Sequence, residues 1–122
     1  MNEKEFLALP PDERDAIIAE RALSWATHRT KSGRLWAKYG GHSWGKCPHF
    51  TTTWTNDFWC VVTRLRDERG IYVDIHTYAD FFEAVVRNNG GEELARDAHP
   101  QVQLAVAVAV LKAFGIIAEV VA

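Results

Sequence analysis

Residues 102–114 constrain the fold more than any other part of the chain. Val102, Leu104 to Leu111, Ala113 and Phe114 are apolar, so a helix here is apolar nearly all round. The alternation of Ala and Val would also suit a strand. The length of the run, Pro100 in the first turn and Gly115 as a stop point instead to a helix, with Asp97 as its N-cap. A helix of this kind must lie at the centre of a core or press against a partner chain. The tail, Ile116 to Ala122, is expected as an edge strand or as a homo-oligomer contact through Val120 and Val121. The rest of the chain must supply the surfaces that cover this helix.

A second helix is expected after Pro48. Phe58, Val61, Val62 and Leu65 fall at i, i+3, i+4 and i+7 and share one face. Thr53 or Thr55 can cap its start, and Gly70 can end it. Near the start, Pro11 to Trp25 reads as a helix with Ile18, Ala22 and Trp25 on one face and Asp15, Glu20 and Arg21 largely solvated. Residues 27–33 read as a polar turn, Arg34 to Tyr39 as a strand, and Gly40 to Lys46 as a glycine-rich loop. Ile71 to His76 and Phe81 to Arg87 are strands. Asn88-Asn89-Gly90-Gly91 is a hairpin turn, and Glu92 to Arg96 a further strand. The expected class is α+β: a small antiparallel sheet sandwiched between about three helices, in one domain over residues 1–122.

Charge divides the chain. No Asp or Glu occurs between Arg21 and Asn56, while six of the 14 Lys and Arg residues lie there: Arg21, Arg29, Lys31, Arg34, Lys38 and Lys46. The other eight basic residues share the remainder with all 16 acidic ones. A basic block inside an acidic chain suggests an anionic partner. Two cysteines, Cys47 and Cys60, make no disulfide framework, and no apolar run reaches membrane-spanning length. With no signal-peptide pattern at Met1 to Glu5, the expected setting is cytoplasmic, without membrane contact.

Three pieces of this sequence, in order, resemble the phage ABA sandwich family of small bacteriophage and prophage proteins. They are Leu9-Pro10-Pro11-Asp12-Glu13-Arg14 running on to Trp25, Pro48 to Thr53 leading into Trp59 to Leu65, and the alanine-rich helix Ala105 to Phe114. The resemblance covers most of the chain. It implies a sheet between helices and a phage setting, with no activity that carries over residue by residue. Thr53 stands where the family often has Asp, and the glycine- and tryptophan-bearing loop and the apolar tail are individual to this chain.

The candidate site is the basic block itself. It holds His28, His42 and His49 and four of the five tryptophans: Trp25, Trp36, Trp44 and Trp54. Cations that meet phosphate, interleaved with rings that stack on bases, suit a nucleotide or a single strand. Arg34, Lys38 and Lys46 are the expected anion partners, Trp36, Trp44 and His42 the stacking groups, with His49 beside them. Thr51, Thr52 and Thr53 would add hydroxyl and N–H donors at a helix start. The plain alternative makes Trp25 and Trp54 core and leaves the cations solvated.

Neither a cofactor nor a metal is expected. His42, Cys47, His49 and Cys60 could be drawn as a zinc site, but no Cys-x-x-Cys pair supports one. Asp74 and His76, two apart on a strand with Asp80 near, could perform acid–base work. They are also ordinary wet-face residues, and no catalytic motif accompanies them. The expected function is therefore non-enzymatic: binding an anionic ligand such as a nucleotide signal, in a phage context that suggests interference with a host defence process. The alternatives are an adaptor or inhibitor that binds a host or phage protein directly, and a metal-dependent hydrolase using Asp74 and His76.

Overall fold

The computed structural model describes residues 1–39, 43–51 and 56–118. Four α-helices and two three-stranded antiparallel sheets make an α+β fold. The elements are α1 (Glu3–Ala8), α2 (Pro11–Ile17), β1 (Ala26–Arg29), β2 (Leu35–Tyr39), β3 (Ser43–Lys46), α3 (Asn56–Arg69), β4 (Tyr72–Thr77), β5 (Phe82–Arg87), β6 (Glu93–His99) and α4 (Val102–Ala113).

The apolar helix is the centre of the molecule. Every residue of α4 from Leu104 to Leu111 is buried, against β5 and β6 on one side and the segment after α2 on another. Its burial is within this chain. Gly115, at φ +74°, ends it. The Gly115 N–H donates to the Lys112 carbonyl at 3.0 Å and the Ile116 N–H to the Leu111 carbonyl at 2.9 Å, a Schellman cap. At its other end the N-cap is Gln101, which makes no side-chain capping bond. Asp97 does not cap this helix. It lies within β6, and its carboxylate accepts from Lys112 Nζ at 3.2 Å. The end of α4 thus reaches back to the strand before it. Val120 and Val121 lie outside the described residues.

The α3 stripe meets the core as its spacing requires: Phe58, Val61 and Leu65 are buried and Val62 is half-buried. Phe58 stacks on Phe50 with centroids 5.3 Å apart, joining the proline-led loop to the helix. Gly70 stops α3 at φ +64°. Thr53 and Thr55, the expected caps, lie outside the described residues.

The helix that begins at Pro11 is α-helical only to Ile17. It then widens into a π-helical turn, Ile18–Ala22. The Leu23 N–H donates to the Ile18 carbonyl and the Trp25 N–H to the Ala19 carbonyl. Ser24, at φ 59°, turns the chain out. The wide turn buries Ile18, Ala19 and Ala22 together against α4. Ahead of α2, Phe6 is anchored by α1, which Asn2 caps by accepting from the Glu5 N–H at 2.8 Å.

The strands divide between two sheets rather than one. The C-terminal hairpins give β4-β5-β6, with β6 extending to His99. The N-terminal part gives β1-β2-β3, in which two strands arise where a polar turn and a glycine-rich loop were expected. Both lack an apolar alternation. They are strands because β2 runs between them and pairs with each: His28 faces Trp36, and Trp36 faces Lys46 in turn. Both sheets contribute to one hydrophobic core, Ala37 from β2 and Ala84 and Val86 from β5.

Candidate functional site

Cross-strand partners share a face of a sheet, and residues two apart along a strand share it too. In the β1-β2-β3 register, Trp36 lies opposite His28 on one side and Lys46 on the other, and Lys38 opposite Trp44. His28, Trp36, Lys38, Trp44 and Lys46 therefore belong to one face. Ala37, on the opposite face, is fully buried. The core claims one side of this sheet and leaves the rings and cations outward. Trp44 is 49% exposed, and the His28 ring lies steeply inclined to it with centroids 6.3 Å apart. Trp36, Trp44, His28 and Thr30 line an apolar slot of about 500 Å³.

A second concavity has a volume of about 450 Å³. Arg34, Lys46 and His49 line it, together with Ser32 and Gly33 of the β1–β2 turn, and Asp12, Asp15 and Cys47 form more of its wall. Residues of that turn line both spaces, Thr30 the slot and Ser32 to Arg34 the pocket. The Thr30 N–H donates to the Arg34 carbonyl at 2.9 Å, and the Arg34 N–H donates to Thr30 Oγ1 at 3.1 Å. Arg29 is engaged with two residues of the pocket wall, pairing with Asp12 at 3.5 Å and donating to the Gly33 carbonyl.

The structure thus brings Trp36, Lys38, Trp44 and Lys46 together on the sheet face, and Arg34, Lys46 and His49 together at the pocket. Thr51 takes an inward position instead of facing an anion. It is buried, its N–H and hydroxyl both donating to Asp15 Oδ1 at 2.9 and 2.8 Å. Trp25 is core, its Nε1 donating to Glu68. His42, Thr52, Thr53 and Trp54 lie outside the described residues.

Asp15, expected in solvent, is the residue that sequence reasoning missed. Only 3% of it is exposed. The signal was present: Asp15 falls at i, i+3 and i+7 with Ile18 and Ala22, inside the apolar stripe. Burial is tolerated because Thr51 supplies two donors. Burial still dominates and raises the Asp15 pKa, against the Thr51 bonds and the charges of His49 and Arg14 that lower it. Its Oδ2 has no hydrogen-bond partner among the described residues, and His49 Nδ1 lies 3.8 Å away.

Cys47 is not a poised nucleophile. Its thiol is buried and pushed up to about 12, first by burial and then by the Asp15 charge. Cys60 is exposed on α3. Among the described residues no three His, Cys, Asp or Glu side chains gather as a metal site. Asp74 pairs with Arg87 at 2.8 Å, and His76 is exposed on the same strand. No helix among the described residues is long and apolar enough to cross a membrane.

Comparison with known proteins matches no family model and no curated protein. Among solved structures, the chain shares its fold with a phage protein from Bacillus cereus. The alignment covers 92% of this chain and 94% of that one, with a TM-score of 0.59 and 16% identity. At that identity the likeness describes the fold and nothing of activity.

Proposed function

We propose that this chain is a non-enzymatic phage or prophage protein that binds a nucleotide on the outer face of its N-terminal sheet. One observation carries the reading. The register puts two tryptophans and a histidine around a slot, with Lys38 and Lys46 directly opposite the tryptophans. Rings that stack on a base and ammonium groups that meet phosphate are the two halves of nucleotide recognition. The fold shared with a phage protein supports the setting, in which sequestering a nucleotide signal would blunt a host defence.

Thermal unfolding against mononucleotides, dinucleotides, cyclic nucleotides and short oligonucleotides tests it. A ligand at one hundred times its dissociation constant stabilises by about 2.7 kcal/mol, several degrees for a domain of this size. The shift should vanish in Trp44→Ala and shrink in Lys38→Ala. Absence of any shift across the panel refutes nucleotide binding.

A second reading, an adaptor or inhibitor that binds a host or phage protein, is favoured by a different surface. Tyr78 and Phe81, at the β4–β5 tip, stack with centroids 4.7 Å apart while 50% and 38% exposed. Exposed paired aromatics of this kind suit a protein interface. Tyr78→Ala should abolish capture of a partner protein and leave nucleotide shifts intact.

A further inference from the structure

The Asp15 pocket carries its charges in an order. Arg34 and Lys46, both exposed, supply its cations. The buried carboxylate of Asp15 is part of its wall, with one oxygen saturated by Thr51 and the other, 3.8 Å from His49 Nδ1, without a hydrogen-bond partner among the described residues. A carboxylate oxygen only accepts, so the group that completes it must be an N–H or O–H donor. Phosphate is repelled from Asp15 and drawn to the two cations. The neighbouring Asp12 is drawn to Arg29.

Consecutive residues of β2 line the two spaces, Leu35 the pocket and Trp36 the slot. Lys46 lines the pocket and lies directly opposite Trp36 of the slot. The turn from Thr30 to Arg34 ends in the slot at one side and in the pocket at the other. At about 450 and 500 Å³, each space is within the range of a small-molecule site. A phosphate beside Lys46 would sit between them.

We infer that the Asp15 pocket is a second subsite of the same ligand, taking the N–H-bearing edge of a second base across the phosphate from the ring in the tryptophan slot. The ligand class is then a dinucleotide rather than a mononucleotide. The inference rests on the nucleotide reading above, and it adds a recognition group, Asp15, and a size. His49, 60% exposed with Nδ1 at 3.8 Å from Asp15 Oδ2, stands beside that oxygen and must turn aside as the base enters.

The test uses tryptophan fluorescence titration with three probes: thymidine 5′-monophosphate, the dinucleotide TpT, and TpT methylated at N3 of both bases. N3-methylation removes the only N–H of thymine and keeps its ring. TpT should bind at least tenfold tighter than the mononucleotide, about the worth of one hydrogen bond to a charged group. N3-methylation should cancel that gain. In Asp15→Asn the amide oxygen can still accept from Thr51 while NH2 replaces Oδ2, so the ratio of TpT to mononucleotide affinity should fall close to one. Should Asp15→Asn fail to fold, the methylated probe on the natural chain decides alone, with the His49 imidazole resonances reporting pocket occupancy. Equal binding of TpT and mononucleotide, both lost in Trp44→Ala, overturns the second subsite and leaves the nucleotide reading standing. Equal binding of TpT and its methylated form overturns it likewise. No binding by any probe overturns both.

Discussion

The carboxylate of Asp97 makes stability depend on pH in a direction opposite to ordinary acid denaturation. It is 10% exposed, on β6, with Lys112 Nζ at 3.2 Å from Oδ1. Lys112 also lies 3.6 Å from Glu3 Oε1, at the start of α1. Asp97 Oδ2 and Glu3 Oε1 are both buried without a hydrogen-bond partner among the described residues, and a proton held by the pair would join them. Burial first, and then the Glu3 carboxyl, push Asp97 up from 3.8 to about 7, against the opposing pull of Lys112. The folded chain therefore keeps a proton that the unfolded chain releases above about pH 4. This contribution is complete below that pH and is lost as pH rises to about 7. At about 1.4 kcal/mol per unit, the fall between pH 5 and pH 8 is about 3 kcal/mol at most. Asp15, also raised, slopes the same way. Urea unfolding at pH 5 and pH 8 measures the sum, and Asp97→Asn should remove the larger part, leaving the variant at least as stable as the natural chain at pH 8. An unchanged pH slope in Asp97→Asn would refute the shared-proton account.

Three further outcomes follow from the geometry. Thr51→Val keeps the shape and deletes the hydroxyl that donates to Asp15 at 2.8 Å; denaturant unfolding should show a loss of about 1–3 kcal/mol. Gly70→Ala and Gly91→Ala should each cost the roughly 1 kcal/mol of backbone strain at positive φ. A Cβ at Gly70 would meet only the amide end of the exposed Asn89 side chain, which can turn aside, and Gly91 has open space; a much larger loss at Gly70 in denaturant unfolding would refute this. In the folded protein a thiol reagent at pH 8 should modify Cys60 quickly and Cys47 only on unfolding, as mass spectrometry of peptides would show.

The sequence was legible where one segment decides its own structure. Phe58, Val61 and Leu65 with Gly70 describe the core face and the end of α3, and Asn88 to Gly91 describe the turn between β5 and β6, because stripes and positive-φ residues are local signals. The strands β1 and β3 were not legible. Ala-Thr-His-Arg and Ser-Trp-Gly-Lys contain no alternation, and what makes them strands is the partner between them. Asp97 was misplaced for a related reason. Its capping-type side chain suits a helix start, but Lys112, 15 residues on, holds it in the strand. At the candidate site, composition brought together the tryptophans and lysines, and only the register could show that Trp36, Lys38, Trp44 and Lys46 share a face. Asp15 belonged to the Ile18–Ala22 stripe from the start. Its partner Thr51, 36 residues away, is what makes burial of a carboxylate bearable.

The central position of α4 has a consequence for how the protein comes into being. Among the described residues it follows every strand and every other helix, so a ribosome makes the surfaces to be covered before it makes the cover. Until residues 102–113 have been made, the inner faces of β5 and β6 and the turn at Ile18–Ala22 have nothing to close over them. Folding of the whole domain then waits on its last helix. The nascent chain up to that point presents apolar surface and open strand edges, the features by which chaperones recognise a client and by which crowded chains stick to one another.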